Sequence, residues 1–381
     1  MMNENLKKVK ISGIRKFYNE VQKVDGAISL TLGQPDFKLP LSIEEGLLEA
    51  IKQNKTTYTS NLGIIELRKE ISNYLLNYNI NYNEAEICIT VGGSEALFDI
   101  FTALLNKDDK VLIPTPAYPA YESIVNILGG EVVNYSLDSN FKIDINDIKN
   151  KIKDMNIKYL VLSLPSNPTG AILSKEERDQ LVDVIRENDI IVITDEIYQS
   201  LCYDEYYSVA QSIDIKDKII YVGGFSKMFS MTGLRVGYYA CSELLMNEII
   251  KVHQYNVSCA PSICQWAVYK GLREGLQDVD HMKGVFEARK DLVVNKLKKM
   301  GLDVVIPKGA FYVFPSIKKF NIPSEEFALR LLYEEKVACV PGTAFGTGGE
   351  GYIRISYCYS EQELKEALER IEKFIFKIQS K

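Results

Sequence analysis

Histidine is nearly missing from this 381-residue chain, which has only two, His253 and His281. A histidine-based metal cage is therefore not expected, and proton transfer falls to another residue type. Cysteine is present but unorganised: seven copies at irregular spacing, with no Cys-x-x-Cys pair, suit reduced core thiols better than a disulfide frame or a zinc site. No apolar run approaches the roughly 18 residues of a membrane span. The polar start through Asn5, followed by Lys7 and Lys8, lacks the apolar stretch of a secretory leader, so a cytoplasmic protein is expected. An excess of basic charge is missing too. The net charge is −6 and the lysines are scattered, which argues against nucleic acid or an anionic membrane as partner.

What is present is ordinary for a soluble globular enzyme, with 46% hydrophobic and 25% charged residues. The length exceeds one compact core and suits one large and one small domain. Helices are predicted over 11–24, 42–53 and 65–76, the second with Ser42 as cap and Glu45 completing a capping box. A short strand at 27–32 ends in Gly33-Gln34-Pro35-Asp36-Phe37, a turn whose backbone can face a ligand. From residue 87 short apolar runs alternate with helical patterns: 87–91, 110–113, 131–135, 159–164, 190–194, 219–222 and 236–241 read as strands. Such alternation predicts an α/β fold, a mostly parallel sheet covered by helices on both faces.

Beyond residue 242 the pattern turns to long helices, one of them spanning 280–300. Short strands at 303–306, 311–314, 337–340 and 352–357, a helix at 324–335 and a terminal helix from Glu361 then make a small α+β domain, completed by the N-terminal segment. The expected division is 1–45 and 281–381 in the small domain and 46–280 in the large one. There is no internal repeat. The run 346–351 fits G-x-G-x-x-G, but it leads into a strand instead of a helix and reads as a glycine-rich loop.

In a parallel sheet of this type ligands bind beyond the carboxyl ends of the strands. Ser94, Tyr118, Asn167, Asp195, Tyr198 and Lys227 all fall at such ends. Lys227 follows an apolar run in a Gly/Ser-rich bend. A partly deprotonated lysine forms a Schiff base with an aldehyde, and pyridoxal phosphate is the biological aldehyde that uses this. Ser226, Ser230 and Arg235 nearby suit a phosphate; a surface lysine on a turn is the plainer reading. Gly92-Gly93-Ser94-Glu95, between a strand and a helix, reads as an anion site or as a tight βα turn. Asp195, at the end of a buried strand, suits a pyridine nitrogen or a turn cap. Asn167 and Tyr198 suit the phenolic oxygen, although Asn167 between two prolines also reads as a turn residue. Tyr118 suits stacking on a planar ring or a place in the core. Arg354, inside the apolar strand Tyr352-Ile353-Arg354-Ile355-Ser356, suits a substrate carboxylate or an exposed sheet edge.

Ser226-Lys227-Met228-Phe229-Ser230-Met231-Thr232-Gly233-Leu234-Arg235 resembles the lysine motif of class I/II aminotransferases of pyridoxal phosphate fold type I. Ser166-Asn167-Pro168-Thr169-Gly170, Asp195-Glu196-Ile197-Tyr198, the Gly33 turn and the Arg354 strand match that family in order. Ile11-Ser12-Gly13-Ile14-Arg15-Lys16-Phe17 and His253-Gln254-Tyr255-Asn256 look most like the bacterial aminotransferase A group, associated with N-acetyl-L,L-diaminopimelate.

The resemblance implies that Lys227 carries pyridoxal 5′-phosphate and moves the proton. Asp195 holds the ring nitrogen, and Asn167 and Tyr198 hold the phenolic oxygen. Gly93, Ser94, the Glu95 backbone, Ser226 and Arg235 cradle the phosphate. Tyr118 stacks on the ring, while Arg354, Asn167 and the Gly33 amide hold the substrate carboxylate. Tyr58 is implied as a phosphate ligand from the other subunit of a homodimer. Many relatives have Gln or Lys where this chain has Glu95, so the Glu95 side chain is expected to point away from the phosphate. The implied reaction moves an amino group from an amino acid to a 2-oxo acid, with 2-oxoglutarate as the expected acceptor. β-Elimination on cysteine-type substrates is the enzymatic alternative and a cofactor-binding regulator the other. Arg15 or Lys16 is the candidate for a second substrate carboxylate, a solvated helix face being the plainer reading, with an aromatic substrate equally open.

Overall fold

The computed structural model describes residues 3–380. α1 (Gly13–Val21), β1 (Ile28–Ser29), α2 (Leu41–Lys52) and α3 (Ile65–Leu76) come first. The alternating region follows as β2 (Ile87–Thr90), α4 (Gly93–Leu104), β3 (Lys110–Thr115), α5 (Ala120–Leu128), β4 (Glu131–Ser136) and α6 (Ile145–Met155). It continues with β5 (Ile157–Ser163), α7 (Lys175–Glu187), β6 (Ile191–Asp195), β7 (Ile219–Gly224) and β8 (Gly237–Ala240). Three helices, α8 (Glu243–Asn256), α9 (Ser262–Glu274) and α10 (Leu276–Lys299), lead to the last part of the chain. There lie β9 (Tyr312–Val313), α11 (Ser324–Glu335), β10 (Val337–Ala338), β11 (Val340–Pro341), β12 (Ile353–Ser356) and α12 (Glu361–Gln379).

Strands β2 to β8 form one seven-stranded sheet in the order β2-β8-β7-β6-β5-β3-β4. Every pairing is parallel except those of β8, which runs antiparallel to both β2 and β7. β2 and β8 are buried at every position, as expected for strands covered on both faces. The carboxyl ends of β5, β6 and β7 therefore open side by side, which brings Asp195 to the same edge as the lysine bend after β7.

The N-terminal segment returns to the end of the chain: Ile28 pairs in parallel with Val337. A three-stranded antiparallel sheet, β11-β12-β9, carries Arg354. The cysteines are free, and all but Cys259 are buried.

Several expectations need correcting. Ser42 does not cap α2: the cap position is Pro40, the helix starts at Leu41, and Ser42 is buried inside its first turn with its Oγ unpartnered. Glu45 instead pairs with Lys270 at 3.2 Å. Residues 303–306 form no strand, since only Asp303 bridges to Ser316. The run 337–340 divides into β10 and β11, which join different sheets. α6 was not foreseen, although Asp144 caps it through the Asp147 amide at 3.0 Å and Ile145, Ile148 and Ile152 form its buried stripe. The expected domain limits after residues 45 and 280 fall inside α2 and α10, which run on through both positions. The outermost limits, residues 1 and 381, lie outside the described residues.

Candidate active site

At the carboxyl ends of β5, β6 and β7 lies a cavity of about 540 Å³. Gly33, Gly93, Ser94, Tyr118, Asn167, Asp195, Tyr198, Ser226, Lys227, Arg235 and Arg354 all line it. Of the residues singled out from the sequence, Lys16, Tyr58, Glu95 and Ser230 do not; Ser230 Oγ instead donates to the Phe37 carbonyl at 2.7 Å.

One end is built for an anion. Gly92 precedes α4 with φ +78° and, having no side chain, leaves the helix start uncapped. Any Cβ there would meet Arg235 Nη2 at 2.5 Å, so glycine is required both for the turn and for the approach of the guanidinium. The amides of Gly93 and Ser94 open the first turn of α4, where backbone donors have no helical acceptor and the helix dipole is positive. Arg235 is fixed beside them by the Thr232 carbonyl at 3.0 Å and Ser226 Oγ at 3.4 Å.

Lys227 is half-buried in the cleft, its Nζ donating to the Gly33 carbonyl at 2.5 Å. Burial, helped by the positive charges of Arg235 and Arg354, pushes its amine down to about 8. A fraction of it is therefore neutral near pH 7 and able to act as nucleophile or base. Asp195 ends β6, fully enclosed. Its Oδ2 accepts the Tyr121 hydroxyl at 2.7 Å and its Oδ1 the Ile197 amide at 3.2 Å. Burial raises its carboxyl, and those two hydrogen bonds oppose the rise. Tyr121 also lies 2.8 Å from Ser163 Oγ, so Asp195, Tyr121 and Ser163 form a short polar chain at the carboxyl end of β5.

The sequence reading missed Tyr121 and Tyr312. Tyr121 lies in the first turn of α5, and its ring meets that of Tyr118, just before the helix, edge to face with centroids 5.7 Å apart. Tyr312 meets Tyr198 hydroxyl to hydroxyl at 2.8 Å. It also fills the space beside Gly33, where any side chain would overlap its hydroxyl.

Arg354 is 1% exposed. Its Nη1 donates to Asn167 Oδ1 at 2.8 Å and its Nη2 to the Thr31 carbonyl, while Nε has no partner. The guanidinium lies over Tyr312 and Phe345, 4.4 and 4.9 Å from their ring centroids. Among the described residues its hydrogen-bond partners are an amide and a carbonyl, not a carboxylate. An enclosed cation without a counter-charge is costly, and an anionic ligand would complete it.

The remaining candidates separate. Arg15, at the start of α1, lines the cleft, whereas Lys16 points outward to Glu325 at 2.7 Å. Tyr58 lies between α2 and α3, 88% exposed, and its own chain does not bring it to the cleft. Glu95 turns its side chain inward to His253, and its amide donates to the Gly92 carbonyl at 3.2 Å.

A lysine in part neutral, a buried carboxylate on the neighbouring strand and an anion cradle at a helix start fit pyridoxal phosphate, and their placement on this sheet is that of a fold type I enzyme. The family description "Aminotransferase class I and II" matches residues 25–371, and the chain belongs to that family. It is 42% identical to "Probable N-acetyl-LL-diaminopimelate aminotransferase" of Bacillus subtilis, covering 99% of this chain and 96% of that one. It is 36% identical to "Aromatic-amino-acid aminotransferase 2" of Thermococcus litoralis, over 98% of each chain. Among solved structures, aspartate aminotransferase from Thermus thermophilus with maleate superposes with a TM-score of 0.92 at 32% identity, over 98% of this chain and 99% of that one. Pyridoxal 5′-phosphate is the cofactor of this fold type I transferase.

Proposed function

We propose that this protein transfers the amino group of an amino acid to a 2-oxo acid, with 2-oxoglutarate as acceptor, and works as a homodimer. The observation that carries the reading is one cleft holding a buried amine at about 8, Asp195, and Arg354 lacking an acidic partner. The bound cofactor supplies an electrophilic carbon and a sink for the electrons released at the substrate Cα. Lys227, neutral in part at physiological pH, takes the proton from Cα and returns it. Asp195 provides the fixed negative charge that favours a protonated ring nitrogen. Tyr198 and Asn167 donate to the phenolic oxygen, and Tyr118 packs against the ring. Gly93, Ser94, Ser226 and Arg235 hold the phosphate, with Tyr58 completing the cradle from the partner subunit. Arg354 holds the substrate α-carboxylate.

Side-chain preference rests on Arg15. It is the cleft's cation nearest the chain start, whereas Lys16 beside it is taken up by Glu325. We assign it to a second carboxylate, which favours dicarboxylic amino acids and their acylated relatives over purely aromatic ones. The test is a panel of single amino acids given to the purified protein with 2-oxoglutarate, assayed for glutamate, pyruvate and sulfide. Glutamate with a dicarboxylic donor is the expected product. Pyruvate and sulfide from cysteine-type substrates without glutamate would overturn the transferase reading.

A further inference from the structure

Behind the anion cradle the chain buries a polar cluster that the chemistry above does not use. Glu95 and Asp99 stand one turn apart on α4, and His253 and Asn256 lie in the last turn of α8. His253 Nδ1 is 3.0 Å from Glu95 Oε1 and 3.3 Å from Asp99 Oδ2, and the other Asp99 oxygen accepts Asn256 Nδ2 at 3.0 Å. All three charged side chains are buried. The second oxygen of Glu95 accepts the Val91 amide at the end of β2. A continuous chain of hydrogen bonds therefore runs from α8 through His253 and Glu95 into the turn that carries Gly93 and Ser94.

The position of Glu95 creates an electrostatic problem. A carboxylate in the first turn of α4 sits at the same positive helix end that a phosphate needs. Left bare, it would repel a dianion bound a few ångströms away, in surroundings that screen poorly. His253 meets this charge from the C-terminal end of α8, where a cation is itself favoured. Burial opposes the imidazolium, but the hydrogen bonds to Asp99 and Glu95 outweigh it and push the group up to about 9. The imidazole is thus charged at neutral pH. These three side chains are spaced closely enough to hold a metal ion, but Nδ1 is already engaged by both carboxylates, and Nε2 is buried without a partner.

We propose that His253 is a positioning residue for the phosphate cradle: it neutralises Glu95 and, through it, fixes the strand-to-helix turn from Val91 to Ser94. This rests on the cofactor site described above and adds to it a residue that never touches the ligand.

The probe is pyridoxamine 5′-phosphate, which forms no bond with Lys227 and so reports the non-covalent cradle alone. Its affinity for the apoenzyme is measured by calorimetry for wild type, His253→Asn, Glu95→Gln and the double variant, with the melting temperature of each apoprotein recorded alongside. His253→Asn keeps a donor near Nδ1 but removes the charge, and is expected to weaken binding about tenfold, equivalent to about 1.4 kcal/mol. Glu95→Gln in the same chain removes the charge that needed neutralising and is expected to restore affinity to within about threefold of wild type. Unchanged affinity in His253→Asn, or a loss that Glu95→Gln does not rescue, overturns the proposal. A fall in melting temperature with unaltered affinity also overturns it, because it leaves His253 a purely structural role. Should His253→Asn fail to fold, Glu95→Gln alone decides: binding as tight as wild type or tighter supports the proposal, and weaker binding overturns it. If wild type itself does not bind the probe, the cofactor site falls and this inference with it, a result distinct from equal binding by all four proteins.

Discussion

The hydroxyl of Tyr121 donates to Asp195 Oδ2 at 2.7 Å, across 74 residues of sequence, and is the one side-chain donor to that carboxylate among the described residues. It opposes the rise that burial imposes on this carboxyl, and so favours charge on the group proposed to face the ring nitrogen. Hydrogen bonds to charged groups are worth about 1.5–3 kcal/mol. Tyr121→Phe is therefore expected to lower kcat about 10- to 100-fold with KM for the amino acid little changed. Steady-state kinetics check this, and a variant with full kcat would remove Tyr121 from the mechanism.

Lys227 makes a prediction about pH. Its amine is pushed down to about 8 by burial, so the neutral, nucleophilic form grows as pH rises through that value. Covalent capture of an aldehyde by the apoenzyme should accelerate from pH 6.5 upward and level off above about 9, instead of climbing towards the ordinary lysine range near 10.4. The same shift has a consequence for stability. The folded-state value lies below the unfolded one, so the unfolded chain holds more protons between about 8 and 10.4, and this residue's contribution to stability increases with pH across that window. Stopped-flow capture rates over the pH range are the measurement. A rate that keeps rising past pH 10 would show an unperturbed amine, and Lys227→Ala should abolish capture and transamination together.

Much of this site was legible because its polar residues interrupt or terminate apolar runs. Asp195 closes a strand of Ile, Val and Thr, Lys227 follows one, and Arg354 breaks one, so each marks a place where burial has to be explained by chemistry. Tyr121, Tyr312 and His253 gave no such signal. The chain has 23 tyrosines, and what distinguishes these two is a partner 74 or 114 residues away, which no local pattern carries. His253 sits in an ordinary amphipathic helix, and its partners on α4 are found only when the two helices pack. The fold errors have the same origin. The run 337–340 has strand character throughout, but a change of sheet between Ala338 and Val340 is decided by β1 on one side and β12 on the other.

Arg354 tests the balance between function and stability. A buried guanidinium with an unpartnered Nε and, among the described residues, no carboxylate beside it costs folding energy that the ligand would repay. Arg354→Met should raise KM for amino-acid substrates by about 100-fold or more, in line with the loss of 3–5 kcal/mol when a buried charge pair is broken. Apoenzyme stability should stay the same or increase. Denaturant unfolding of both apoproteins decides the second half. A variant markedly less stable than wild type would mean that Arg354 is held for the fold, through Asn167 and Thr31, and not for the substrate.

Tyr58 and the dimer can be tested without a second structure. Its ring is 88% exposed in the single chain, an unusual place for a large side chain with a proposed role in catalysis. If it completes the partner's phosphate cradle, then Tyr58→Phe weakens cofactor binding, and the defect resides in the opposite active site from the mutation. Mixing inactive Lys227→Ala subunits with Tyr58→Phe subunits separates these cases. In the hybrid dimer the intact Lys227 belongs to the Tyr58→Phe chain and receives an unmodified Tyr58 from its partner. That site should regain wild-type cofactor affinity, so hybrids should retain about half of the wild-type activity at limiting cofactor, the share expected from one complete site of two. Hybrids no better than the Tyr58→Phe homodimer would place Tyr58 outside the partner's site.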